Sequence, residues 1–280
     1  MSLANERQPS GWPDVFGMTD PGLQHPHNED HFLVAELSHT LTALQTSLGG
    51  DEQHSLSSWP KGLVLAVADG VGGRRGADQA SRIAMQTVTS YVMMTMPWFL
   101  APRGDQDDDA VEVLEAALTR ANRLLHAFGA KNPSLSGMAT TMTMAFVAGP
   151  LAYVVHAGDS RCYLYREGVL RRLTQDHTVA AEVAEQSQLR LDPESPFAHV
   201  LSNVLGGHSE GLRPEVVKGR LLSGDVLLLC TDGLSKHVDD DSIRHVLSTS
   251  PTAESATRSL VAGALGAGGS DNVTVITGRF

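Results

Sequence analysis

Apolar residues in this chain fall into short unbroken blocks more often than into alternating ones. Gly62-Leu63-Val64-Leu65-Ala66-Val67-Ala68 and Asp225-Val226-Leu227-Leu228-Leu229-Cys230 are the clearest, and runs of this length predict strands that are buried on both faces. Shorter strands are predicted at Val15 to Asp20, His31 to Ala35, Val216 to Arg220 and Val273 to Thr277. Between them, Thr141 to Ala148, Ala152 to Ala157, Cys162 to Arg166 and Val169 to Leu173 are separated by Gly149-Pro150, Gly158-Asp159 and Glu167-Gly168, which predicts an antiparallel meander. Ala77 to Met96 has a helical composition. Asp107 to Phe128 repeats Val111, Leu114, Ala117, Leu118, Leu124 and Leu125 at helical spacing, so the two predict an antiparallel helix pair. Further helices are predicted at Thr178 to Gln188, Asp239 to Leu247 and Ala253 to Leu265. Strands at the beginning, middle and end with helices in separate pairs predict an α+β layered fold, sheets inside and helices outside.

Composition narrows this picture. With 280 residues, 41% of them hydrophobic, and no evident linker, the chain reads as one domain over residues 1–280. A polar leader covers 1–12, and a Ser-, Thr-, Gln- and His-rich stretch at 38–61 reads as a surface loop or hairpin insertion. A net charge of −11 argues against nucleic acid as the main partner, because phosphate backbones demand clustered Lys and Arg. The longest apolar stretch, Tyr91 to Ala101, is interrupted by Thr95 and Pro97 and falls far short of a bilayer span. With a polar start at Met1 to Ser10, the expectation is a cytoplasmic, monomeric protein with no membrane partner. Cys162 and Cys230 both lie within strand-like runs and read as buried free thiols.

The candidate chemistry lies at the strand ends. Asn28-Glu29-Asp30, Asp69-Gly70-Val71-Gly72-Gly73, Thr231-Asp232-Gly233-Leu234 and Ser270-Asp271-Asn272 each read as an acid-bearing turn at the edge of an apolar run. An unpaired carboxylate at a core edge costs several kcal/mol, roughly, so four of them require a common counter-charge. Lys and Arg are absent beside Asp69 on its strand side and beside Asp271, which favours Mg²⁺ or Mn²⁺, cations that prefer carboxylate, carbonyl and water oxygens.

Set in order with Ser136-Gly137-Met138-Ala139-Thr140-Thr141, Gly158-Asp159-Ser160-Arg161 and Asp271-Asn272-Val273-Thr274, these segments resemble the metal-dependent protein phosphatases, the protein phosphatase 2C family, in their compact bacterial form. The likeness spans roughly Phe16 to Ile276. Each motif alone is weak, and the ordered series is specific. The resemblance implies a four-layer αββα fold in which a central antiparallel β-sandwich is flanked by pairs of antiparallel helices. It also implies hydrolysis of phosphoserine and phosphothreonine by a hydroxide bridging two Mn²⁺ or Mg²⁺ ions, with proteins phosphorylated by a bacterial Ser/Thr kinase as substrates. Carried over, Asp69 is the carboxylate that bridges the metals and Gly70 supplies a backbone carbonyl. Asp232 and Asp271 are further ligands of the first metal, Glu29 is a ligand of the second, and Asp30 holds metal-bound water. Asp159 resembles the acid that bacterial members use for a third, looser metal. The segment 173–207 resembles the family's flap, which governs which phosphoproteins fit.

Two departures stand out. The family usually has Arg four residues before Glu29, where it grips the substrate phosphate, and this chain has His25. An imidazole lacks the bidentate fork of a guanidinium, so His25 is expected to grip less strongly, with Arg74 and Arg75 as possible substitutes. Val71 replaces the histidine that eukaryotic relatives use as general acid, leaving metal-bound water or another histidine, with His25, His27 and His177 nearest the motifs. The alternative reading is a catalytically weak or inactive member that binds phosphoproteins or a regulatory partner. His25 supports it, while the full set of acids argues against it. A two-metal nuclease is disfavoured by the net charge.

Overall fold

The computed structural model describes residues 13–38, 40–42, 55–57, 62–71, 76–96, 107–187, 199–208 and 211–280. The predicted leader, Gly72 to Arg75, most of 38–61 and part of the flap-like segment therefore lie outside the described residues. Along the chain run β1 (Asp14–Asp20), β2 (Asp30–Leu37), β3 (Thr40–Thr42), β4 (Ser55–Ser57), β5 (Gly62–Val71), α1 (Ala77–Thr95) and α2 (Asp107–Lys131). There follow β6 (Ala139–Thr140), β7 (Met142–Ala148), β8 (Leu151–Ala157), β9 (Arg161–Arg166), β10 (Val169–Arg172), α3 (Val179–Ser187) and β11 (Leu205–Gly206). The chain closes with β12 (Glu215–Arg220), β13 (Val226–Cys230), α4 (Asp232–Ser235), α5 (Asp240–Thr249), α6 (Ala253–Gly266) and β14 (Val273–Arg279).

Two antiparallel sheets form the centre. One orders its strands β1-β14-β13-β9-β10; the other runs β11-β6-β5-β7-β8-β12, with β2 also paired to β5. The unbroken apolar runs are explained by strand periodicity. In β5, Leu63, Leu65 and Val67 point between the sheets, where they meet Val147, Val154, Leu227, Leu229 and Ile276. The alternate residues Val64, Ala66 and Ala68 face Ala84, Val88, Leu114 and Leu118 of α1 and α2. In β13 the same alternation sends Val226, Leu228 and Cys230 towards Ile243, Leu247, Leu260 and Val261 of α5 and α6. Helices, sheet, sheet and helices therefore stack around three apolar cores, as the resemblance implied. Both cysteines are free and buried, as expected. They lie on opposite faces of their sheet, Cys162 between the sheets and Cys230 beneath the helices.

The predicted four-strand meander does not form. β7 pairs with β8 and β9 with β10, but β8 and β9 lie in different sheets. The chain crosses between sheets at Gly158-Asp159-Ser160, where Gly158 has φ of +120° and a Cβ added to it would stand 2.5 Å from the Thr141 side chain. A left-handed residue at that point turns the chain out of the first sheet, so two hairpins replace one meander. The stretch at 38–61 contributes the small hairpin of β3 and β4. Among the described residues, no helix is long and apolar enough to cross a membrane.

Candidate metal centre

One end of the sandwich gathers the acids. Asp30 begins β2 and faces Asp69 across the β2–β5 ladder, Asp232 follows β13, Asp271 precedes β14, and Asp159 lies in the crossover between the sheets. Three of the four acid segments differ from the turns expected. Asp69 and Gly70 remain inside β5, Asp30 is the first residue of β2, and Asp232 opens the one-turn helix α4. Ladder pairing continues through these acids because their backbones are supported from the side. The Asp69 carbonyl accepts from Thr140 Oγ1 at 2.7 Å and from Thr141 N at 2.9 Å, and Asp69 N donates to Thr141 Oγ1 at 3.0 Å. Thr141 Oγ1 is in turn 2.8 Å from Ser160 Oγ, which ties Asp69 to the crossover carrying Asp159. This gives the Ser136 to Thr141 motif a physical purpose.

The loop bearing Glu29 is held by amides and a hydroxyl. Glu29 N donates to Asn272 Oδ1 at 2.8 Å, and Asn272 Nδ2 donates to the carbonyls of Pro21 and His27. Ser81 Oγ of α1 donates to the Glu29 carbonyl at 2.6 Å. Gly70 N also donates to that carbonyl at 3.2 Å, and a Cβ on Gly70 would stand 2.4 Å from the Ala77 carbonyl, so only glycine fits.

Asp30 has the most enclosed carboxyl group. Its Oδ2 accepts from Thr231 Oγ1 at 2.8 Å and Thr274 Oγ1 at 2.7 Å, the latter hydroxyl backed by Thr19 and Asn28. Its Oδ1 is buried without a partner, and so is Oδ1 of Asp232. Leaving a carboxylate oxygen desolvated and unpaired is expensive, and the tension shows in the acids' proton affinities. Burial, only partly offset by the two threonines, pushes Asp30 up to about 7, with Asp232 and Asp271 adding to the rise. Asp159 is also pushed up to about 7, by burial and then by Asp232 and Asp176. Asp69 lies well above the usual range through burial and the charges of Asp30, Asp232, Asp159 and Asp271. Glu29 is raised by burial, and His25 works against the rise.

These groups share one electrostatic environment without closing on one point. Among the described residues, the group whose ligand atoms all lie within 4.8 Å of one another is instead His156, His177 and Glu215. That trio is already committed to hydrogen bonds. His156 Nδ1 meets Thr143 Oγ1 at 2.8 Å and its Nε2 meets the Gln175 carbonyl at 3.0 Å, while His177 Nδ1 accepts from Gly158 N and Asn203 Nδ2. Two stacked rings with committed nitrogens make a poor cage, whereas the aspartates offer buried oxygens with nothing to bind. The aspartate set, hard oxygen donors whose charge the protein offsets only in part, fits Mn²⁺ or Mg²⁺.

Lys236 was not anticipated. Its ammonium lies 2.6 Å from Asp232 Oδ2 and 2.7 Å from Asp271 Oδ2, and these two carboxylates hold its pKa well above the ordinary value against the effect of burial. The absence of Lys and Arg beside Asp271 along the chain made a protein cation a poor candidate there, and the fold corrects this by bringing Lys236 to Asp271 and Asp232. The Asp-x-x-x-Lys spacing was available in the sequence, but it brings two side chains together only on a helix, and a turn was expected there. Thr231, Thr274 and Asn272 likewise lie within the motifs, and only the fold gives them their roles on Asp30 and Glu29.

Of the remaining predicted residues, the three histidines are described. His25 is half-exposed, with Nε2 3.7 Å from Asp271 Oδ1. His27 lends its carbonyl to Asn272, and His177 fastens the Gly158 backbone through its own N–H and ring, a structural role. Arg74 and Arg75 lie outside the described residues. Beside Val71 a cleft of about 720 Å³ is lined by Ala139, Leu201, Asn203, Val204 and His208. Its flap side is fastened to the acid site: Val179 N donates to the Val200 carbonyl, Ser202 N to that of His177, and His177 N to that of Gly158.

A profile of the family described as protein phosphatase 2C matches residues 44–265. The serine/threonine protein phosphatase PstP of Mycobacterium tuberculosis is 34% identical over 220 residues, covering 76% of this chain and 39% of that protein. This chain thus spans well under half of that relative's length. Protein phosphatase PhpP of Streptococcus pneumoniae is 30% identical over 215 residues, covering 76% of this chain and 83% of its own. Among solved structures, the catalytic domain of PstP in complex with two manganese ions superposes with a TM-score of 0.71 at 29% identity, covering 96% of this chain and 98% of that one. Fold, ordered acid motifs and sequence profile agree, and the chain belongs to the protein phosphatase 2C family.

Proposed function

We propose that this chain is a metal-dependent protein serine/threonine phosphatase that hydrolyses phosphoserine and phosphothreonine monoesters on products of a Ser/Thr kinase. The observation that carries the reading is the pair of buried, unpartnered carboxylate oxygens on Asp30 and Asp232 within a ring of mutually repelling acids. A fold has no reason to maintain that cost unless a cation relieves it. PstP was solved with two manganese ions, and the matched family profile spans Asp69, Asp159 and Asp232. Asp69, Asp232 and Asp271 would hold one ion, Asp69 and Glu29 a second, with the Gly70 carbonyl on one of the two, and Asp159 a looser third. Divalent cations there would lower the pKa of water towards neutrality and neutralise the phosphoryl oxygens.

The chain's own residues supply the rest. Asp30, anchored by Thr231 and Thr274, keeps Oδ1 available to accept a proton from attacking water. His25 stands at the rim beside Asp271, where it would meet a substrate phosphate. The cleft next to Val71 offers room for residues flanking the phosphorylated one, with the flap as its outer wall. The deciding assay is turnover of p-nitrophenyl phosphate and a phosphothreonine peptide by the metal-stripped chain, with and without added Mn²⁺. Mn²⁺-dependent hydrolysis that falls at least about 10³-fold on Asp69→Asn is expected. Hydrolysis indifferent to both metal and Asp69 would sink the reading, and binding of phosphopeptide without turnover would favour an inactive member.

A further inference from the structure

Lys236 occupies a position that a metal ion should contest. Its Nζ bridges Oδ2 of Asp232 and Oδ2 of Asp271, at 2.6 and 2.7 Å, and these are two acids assigned above to the same ion. The lysine replaces that ion only in part. Asp232 Oδ1 remains buried without a partner, and Asp271 Oδ1 is left to the Asn272 amide and His25. An ammonium donates to two oxygens here, whereas a divalent cation brings twice the charge and takes several oxygens at once. Two cations cannot both sit against the same carboxylate oxygens without strong repulsion. The lysine has the means to withdraw. Its backbone is fixed by Lys236 N donating to the Asp232 carbonyl at 2.8 Å, its side chain is 38% exposed, and its four-carbon stem can swing to solvent.

We propose that Lys236 is a built-in counter-ion that stabilises the metal-free chain and competes with the divalent cation for Asp232 and Asp271, thereby setting the metal affinity of the centre. The inference rests on the reading of the acids as a metal centre. Whatever stability the lysine gives the empty site is forfeited on metal binding, so removing it should weaken the metal-free fold and tighten metal binding together.

The test is calorimetric titration of Mn²⁺ into the metal-stripped full chain, for the unaltered protein and for Lys236→Met, Lys236→Gln and Lys236→Arg, with thermal melts run with and without Mn²⁺. Met and Gln should bind Mn²⁺ about tenfold more tightly or better, equivalent to about 1.4 kcal/mol. Both should melt lower without metal and gain more from it, while Arg stays within about threefold of the unaltered protein. A Met variant that folds only with Mn²⁺ present would support the same conclusion. Equal or weaker Mn²⁺ binding by Met and Gln would overturn the proposal while leaving the metal centre intact. Failure of every form, the unaltered protein included, to bind Mn²⁺ would overturn the metal centre itself, and the proposal with it.

Discussion

Burial of His156, a residue outside the acid site, should withdraw stability from this protein as pH falls, against the opposite trend of the buried acids Asp30, Asp69 and Asp159. His156 lies in β8 with no exposed surface, its Nε2 proton directed at the Gln175 carbonyl and its Nδ1 against the Thr143 hydroxyl. Burial, and then the neighbouring His177 ring at 4.8 Å, depress its pKa from 6.5 to about 3. The unfolded chain therefore binds a proton between those values that the folded chain refuses. Stability from this residue is fully present above pH 6.5 and is lost progressively as pH falls towards 3. The complete difference corresponds to roughly 5 kcal/mol, of which about 2 kcal/mol is expressed between pH 7 and pH 5. His177, whose pKa is also lowered by burial, acts in the same direction. Urea unfolding of the metal-stripped chain at pH 7, 6 and 5 would measure this, with His156→Gln as the control that retains His177. From pH 7 to pH 5 the stability of the unaltered protein should change by about 2 kcal/mol less favourably than that of the variant, the contribution of the acids being common to both. Parallel pH dependences in the two proteins would show that His156 is protonated in the folded state and refute the reasoning.

Other perturbations address the acid site. Asn272→Ala removes one acceptor for Glu29 N and donors to Pro21 and His27; it should cost about 2–4 kcal/mol by chemical denaturation and raise the Mn²⁺ concentration needed for half-maximal activity. Gly70→Ala forces a Cβ to within 2.4 Å of the Ala77 carbonyl, so the start of α1 must shift and Mn²⁺-dependent activity should fall at least about tenfold, with unchanged activity counting against the fit described for Gly70. His25→Arg restores a bidentate fork and should lower KM for a phosphopeptide several-fold, whereas His25→Ala should raise it with a smaller effect on kcat; steady-state kinetics showing no change in KM for either would remove His25 from phosphate binding. Leu114→Ala, in the core beneath α1 and β5, should destabilise by about 2–5 kcal/mol without altering kcat at temperatures well below the melt.

Much of the fold was legible because burial on two faces leaves an unmistakable trace. The runs at 62–68 and 226–230 could be strands only if both sides met apolar partners, and the three cores show that they do. The acids, too, were legible as a set, since ordered motifs survive as local strings whatever the fold does with them. What the chain alone could not reveal is where those strings meet. Sequence periodicity carries no signal for which sheet a strand joins, so β8 and β9 read as neighbours until the positive φ at Gly158 separated them. Nor could it show that Thr231 and Thr274 bind one oxygen of Asp30 from more than 200 positions away. The sequence determined which side chains carry charge and which segments must be buried, since both follow from residue type and local period. Only tertiary structure decided that Asp30 should face Asp69 and that Lys236 should stand between Asp232 and Asp271. Hydrogen-bond partnership and desolvation depend on distances across the fold, and neighbours along the chain do not set them.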